Sequence, residues 1–192
     1  MSHASSQSRG LVVCPPEGGT PLSPHGFTRF VLAFSLLMSL YFALTVTSVF
    51  KTEFFPFYAH WLAECANPAL RMLGQNISIS GAQILSPEFS VVIASGCDGL
   101  APLAIFVSAV LSFPRPVRAK IAGLLCGSIT LWAANYVRII SLFLLGRYYP
   151  AGFRVMHEDI WQACFILLST LCWLAWLRKT QPAQPPTVNA LD

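Results

Sequence analysis

Charge is what this chain has least of. Of its 192 residues, 12 are Lys or Arg and 8 are Asp or Glu, 10% in all, against roughly 25% in a soluble domain. With 55% hydrophobic residues it cannot cover a soluble globule with charge, and it reads as a membrane protein. Metal-binding patterns are missing as well. The six cysteines, Cys14, Cys65, Cys97, Cys126, Cys164 and Cys172, show no C-x-x-C or other ligand spacing. They form no disulfide framework either. Cys126, Cys164 and Cys172 lie within apolar runs, where Cys acts as a small hydrophobe, and a Cys65–Cys97 pair is open but unsupported. The two halves do not repeat, which speaks against the transporters built from internal repeats. The first residues do not read as a secretory signal: the first apolar run begins near Phe27 and is too long for a signal-peptide core.

What the chain does have is long apolar runs. Segments 27–50, 97–113, 121–146 and 159–177 reach or approach the ~20 residues that cross a bilayer, the second being short. Residues 1–26, with Ser, Gly and Pro clusters, and 179–192, rich in Pro and Gln, read as disordered cytoplasmic tails around a membrane-embedded body at 27–178. Lys and Arg set the orientation. Arg115, Arg118 and Lys120 crowd the tight connection between the second and third segments, and Arg178 and Lys179 follow the fourth. Both termini are therefore expected inside, with 51–96 and 147–158 outside. Within the long outer connection, Phe54, Phe55, Phe57, Tyr58 and Trp61 form an aromatic cluster suited to a membrane interface. Residues 57–73 read as a helix lying on that surface. The alternation at 76–80 and the β-branched run Val91-Val92-Ile93 predict a short β-hairpin with its turn around Gly81. The fold class expected is an all-α polytopic membrane protein of about four transmembrane helices.

Arg138 lies deep in an apolar segment, within Asn135-Tyr136-Val137-Arg138-Ile139-Ile140. An Arg at the centre of a span costs roughly 2.5–3.5 kcal/mol even on the mildest insertion scale, so it marks a functional site by default. The topology brings two partners to its depth: Cys97 at the outer start of the second segment and His157 at the outer lip of the fourth. Ser95-Gly96-Cys97-Asp98 fits a capping box with Ser95 at the N-cap and Asp98 at N3. Cys97 would then occupy the first turn of a helix, where the dipole favours a thiolate, while the Asp98 carboxylate would oppose it. Bland alternatives stand beside each reading. Cys97 could be core filler, although Gly96 and Gly99 flank it outside the apolar run. His157 could be merely solvated, like His60. Arg138 could be bonded to carbonyls or to Asp98. Asn135, three residues before Arg138 on the same helix face, could orient the guanidinium or the substrate, or bond a neighbouring helix.

Three motifs in order carry a family resemblance: Cys97-Asp98-Gly99 at the outer start of a span, Asn135-x-x-Arg138-Ile139 in the next, and His157 downstream. Over roughly residues 27–178 the chain resembles the exosortase/archaeosortase family, and within it the compact members such as the exosortase H group. Asp98 departs from the pattern, since many members carry Ser or Thr there. The resemblance implies a cysteine protease or transpeptidase-like enzyme in the bacterial inner membrane, its site facing the periplasm. Its partners would be secreted proteins ending in a C-terminal sorting signal (a short motif, one membrane helix and a basic cluster), the lipid bilayer itself, and a lipid or glycan acceptor or water. Cys97, Arg138 and His157 would be catalytic, with Asn135, Ser95, Asp98 and Gly99 in support. It implies no metal or organic cofactor and no nucleic acid. The rival readings are a non-catalytic assembly or export subunit that binds partner helices through Arg138 and Asn135, and a small anion transporter.

Overall fold

The computed structural model describes residues 24–180; the tail expectations for 1–23 and 181–192, and Cys14, lie outside the described residues. The first helix, α1 (Pro24–Val46), starts a little inside the expected tail, with proline near its first turn, where a missing N–H costs nothing. Its apolar side chains, among them Leu32, Leu36, Leu40 and Phe42, are exposed, as suits a helix whose solvent is lipid. A π-helical segment (Phe50–Phe54) leads into α2 (Phe55–Met72). That helix buries Ala59, Leu62, Ala63, Ala66 and Leu70, a stripe at the helical period, and leaves Trp61 partly exposed.

The predicted hairpin is a three-stranded antiparallel sheet of order β1-β2-β3, with β1 Ser78–Ser80, β2 Gln83–Leu85 and β3 Ser90–Val92. The turn does fall at Gly81, which has φ +56°, a value the tight two-residue hairpins require. The pairing differs from the expected one. The strand at 78–80 pairs with 83–85, and the β-branched run at 90–92 pairs with 83–85 from the other side. His60 donates to the Gly81 carbonyl at 3.0 Å and ties α2 to this turn.

Helices α3 (Leu100–Ser112) and α4 (Val117–Tyr148) follow, joined by the short link 113–116. Lys120 Nζ donates to the Leu111 carbonyl at 2.5 Å, one of the carbonyls that the end of α3 leaves without a helical partner. The region 147–158 is helical except at Tyr149, where the chain turns between two helices. Helix α5 (Pro150–Val155) runs through a π-helical turn (Met156–Ile160) into α6 (Trp161–Lys179). Proline is well placed in a helix's first turn, and the helix restarts at Pro150. By length and composition α1, α4 and the continuous Pro150–Lys179 helix can each cross a membrane. Helix α3 is apolar but has only 13 residues, about 20 Å at 1.5 Å each. The protein is a helical polytopic membrane protein with a small sheet at one end.

Two cores hold it. At the sheet end, α2, the sheet and the end of α4 bury Leu62, Leu70, Ile84, Ile139 and Phe143. At the far end, α3, α4 and α6 bury Phe106, Val110, Leu131, Phe165 and Trp176. Close approach there depends on missing side chains. A Cβ on Gly127 would come 2.1 Å from the Phe106 ring, and one on Gly123 would come 2.3 Å from Trp176.

Candidate active site

Helix α4 runs through both cores. Leu131 belongs to one, Ile139 and Phe143 to the other. Between them sit Asn135 and Arg138, 1% and 3% exposed. The segment 94–99, at the start of α3, crosses this junction, and the π-helical turn of the last helix meets it from the other side.

Cys97 Sγ and His157 Nε2 are in direct hydrogen-bonding contact. Arg138 Nη2 lies 3.8 Å from the same sulfur and donates to the His157 carbonyl at 3.3 Å; its Nη1 donates to the Gly96 carbonyl at 3.4 Å. The guanidinium also stands over the Phe165 ring, 5.5 Å from its centre, and its Nε is buried without a partner. Phe153 stacks on the His157 ring at 5.7 Å and 10°, an i,i+4 pair that the sequence could have disclosed. The three residues expected at one depth thus stand within contact of one another. His60, the other candidate histidine, serves the hairpin turn instead.

The supporting residues fall differently from expectation. The capping box does not form: Ser95 is exposed and α3 begins at Leu100, with Gly99 at its N-cap and no side-chain cap there. Gly96 and Gly99 both hold positive φ, +95° and +76°, so Cys97 and Asp98 lie in a bent segment ahead of the helix. Asp98 Oδ1 accepts from the Leu100 N–H at 3.0 Å. The Asp98 carboxylate, and not a Cys97 thiolate, therefore takes up the helix N-terminus. The Asp98 carbonyl accepts twice, from Asn135 Nδ2 at 3.0 Å and from Tyr58 at 3.1 Å. Asn135 thus bonds the Cys97–Asp98 segment and makes no bond to the guanidinium, and its Oδ1 is buried without a partner. Tyr58 leaves no signal in the sequence, because nothing local links positions forty residues apart. Burial pushes its phenol up to about 12, which keeps it a hydrogen-bond donor.

Burial pushes the Cys97 thiol up; the Arg138 guanidinium pulls it down, and the Asp98 carboxylate pushes it up again, for a net rise. The net direction is thus opposite to the acidification expected from a helix N-terminus, and the thiol faces an imidazole. Asp98 is raised by its burial, against the Leu100 N–H that favours its charged form. Cys65 and Cys97 are both free thiols. Among the described residues no group of His, Cys, Asp and Glu is arranged to hold a metal ion.

A groove of about 350 Å³ opens beside the Cys97–His157 pair, between residues 89–94 and the side chains of Ile139, Leu142 and Phe153. The aromatic cluster of α2 does not line it. Tyr58 and Trp61 stack at 6.1 Å, and Trp61 packs on Trp132 of α4 at 5.6 Å.

A helical membrane bundle that brings a thiol, an imidazole and a guanidinium together at the junction of its two cores is the class this fold and site define. The chain belongs to the transmembrane exosortase family, whose model matches residues 22–174. No curated protein and no solved structure matches it.

Proposed function

We propose that the protein is a membrane cysteine peptidase or transpeptidase that cuts the C-terminal sorting signal of exported proteins. It would act at the periplasmic side of a bacterial inner membrane, with both termini in the cytoplasm. The observation that carries the reading is the contact of Cys97 Sγ with His157 Nε2, with Arg138 beside the same sulfur.

Because burial raises the thiol, His157 Nε2 takes the Sγ proton as the sulfur attacks the scissile carbonyl. The carbonyl oxygen gains the negative charge, and Arg138 donates to it. An oxyanion donor in a site of low dielectric is worth roughly 2.7–4 kcal/mol of barrier. Collapse breaks the C–N bond, His157 returns the proton to the leaving amine, and the upstream part of the substrate stays on Cys97 as a thioester. Water, or a hydroxyl or amine of a lipid or glycan, then attacks. His157 takes its proton, and the thiol regains one as it leaves. Asn135 and Tyr58 hold the Asp98 carbonyl, and through it the position of Cys97. Gly99 supports the same arrangement, because a Cβ there would meet Asn135 Cγ at 2.8 Å.

The test uses cells carrying a tagged exported protein that ends in a motif, an apolar helix and a basic cluster. Its size on a gel is expected to fall with the parent chain and to stay unchanged with Cys97→Ala, while the variant remains in the membrane. Equal processing by both would remove Cys97 from the chemistry.

A further inference from the structure

The groove beside the Cys97–His157 pair follows the free edge of β3. It is lined by six consecutive residues, Phe89 to Ala94. Strand side chains alternate between faces, so a groove on a sheet face meets every second residue. Contact with an unbroken run is what a groove along a strand's edge produces. β3 ends the order β1-β2-β3, and its outer edge has no partner strand among the described residues.

The ladder identifies which groups are free. The Ile93 N–H donates to the Ala82 carbonyl at 2.9 Å, and the Phe89 carbonyl accepts from the Ser86 N–H at 2.9 Å. The odd-numbered residues of β3 therefore turn their main chain toward β2. Antiparallel pairing alternates, so Ser90 and Val92 turn theirs to the groove. Val92 is 50% exposed, and Ser90–Val92 contains neither a charge nor a proline, the usual devices that keep an edge strand from pairing. The opposite wall is apolar, built from Ile139, Leu142 and Phe153, and Cys97 and His157 are the only titratable groups in the lining.

We infer that the substrate lies in this groove as an extended segment that adds a strand to β3. It bonds to the main chain of Ser90 and Val92, with small or apolar side chains against Ile139, Leu142 and Phe153. In strand addition the main-chain bonds supply affinity and the flanking pockets supply preference. The inference rests on the proposed cut at Cys97, and it also fixes a direction. β3 leads through Gly96 to Cys97 and then into α3. A tail whose apolar helix follows its cut site therefore runs the same way as β3, and the residues before the cut lie alongside it as a parallel strand.

Proline tests the edge selectively. Val92→Pro removes an N–H that faces the groove and leaves the bonds to β2 in place, a position proline tolerates on edge strands. Relative to Val92→Ala, kcat/KM for a tail peptide is expected to fall about tenfold or more, mainly through KM, because one hydrogen bond is lost in a desolvated groove. Labelling of Cys97 by a small thiol reagent should stay as in the parent. Equal kcat/KM for the two variants would overturn strand addition and leave the cleavage reading standing. Absence of Cys97-dependent cutting by the parent chain would remove the cleavage reading and this inference with it. Should Val92→Pro lose Cys97 labelling through misfolding, a benzophenone residue in the tail decides, using Cys97→Ala to prevent turnover. Placed two residues before the cut, it is expected to cross-link to residues 90–92. Cross-links elsewhere, or to 90–92 only from a position after the cut, would overturn the proposal.

Discussion

The guanidinium of Arg138 is held on four sides, by two backbone carbonyls, a sulfur and an aromatic face. Lysine could keep the charge but not this geometry, since a point charge on a flexible stem cannot present a planar fork. Arg138→Lys is therefore expected to lower the rate of processing about 100-fold, the lower range for loss of an oxyanion donor, as measured by single-turnover cutting of a tail peptide. Near-parental rates would reduce Arg138 to a point charge. Asp98 acts on the same sulfur with opposite sign: its carboxylate pushes the Cys97 thiol up. Asp98→Asn keeps an oxygen for the Leu100 N–H and removes the charge. The thiol should then ionise at lower pH, and alkylation of Cys97 at pH 7 should quicken, its pH profile moving down. A profile unmoved or shifted upward would contradict the electrostatic account.

At the scale of elements, the site depends on how two segments are bent. Gly99 holds φ +76°, and a Cβ there would lie 2.8 Å from Asn135 Cγ. Gly81 holds φ +56° with nothing within 4 Å of the same position. Both pay backbone strain as alanine, about 1–2 kcal/mol, but only Gly99→Ala also displaces Asn135 and the Asp98 carbonyl. Processing should fall sharply in Gly99→Ala and stay near the parent level in Gly81→Ala, at comparable amounts of folded protein. Equal activities would detach the Gly99–Asn135 contact from function. The sequence made much of this architecture legible. Apolar runs of bilayer length and the basic 115–120 cluster mark the spanning helices, the Gly81 turn is marked by its glycine, and the order Cys97, Arg138, His157 implies one depth. What it hid has physical reasons. The pattern Ser95-x-x-Asp98 suits a capping box, but two glycines at positive φ bend the segment first and delay α3 to Leu100. β2 is three residues long, too short for a period to register. The π-helical turn at Met156–Ile160 inserts a residue without a compositional mark, and turns of this kind recur at functional sites.

Across the whole molecule, the junction of the two cores is where polar chemistry can be buried without breaking either. Phe143 and Leu62 pack one side, Phe106 and Leu131 the other, and α4 spans both as a single 32-residue helix. Asn135 and Arg138 sit on that helix at the junction, with Cys97 and His157 brought to it by separate segments. The proposed reading makes a specific demand on the chemistry: one sulfur should carry the upstream part of the substrate. The direct measurement is the intact mass of the purified protein in lipid bilayers, quenched in acid after mixing with a tail peptide. A transient adduct equal to the peptide upstream of its cut, mapped to Cys97 and released by hydroxylamine, is the result predicted. Cutting that proceeds with no adduct, and at the same rate in Cys97→Ala, would contradict it.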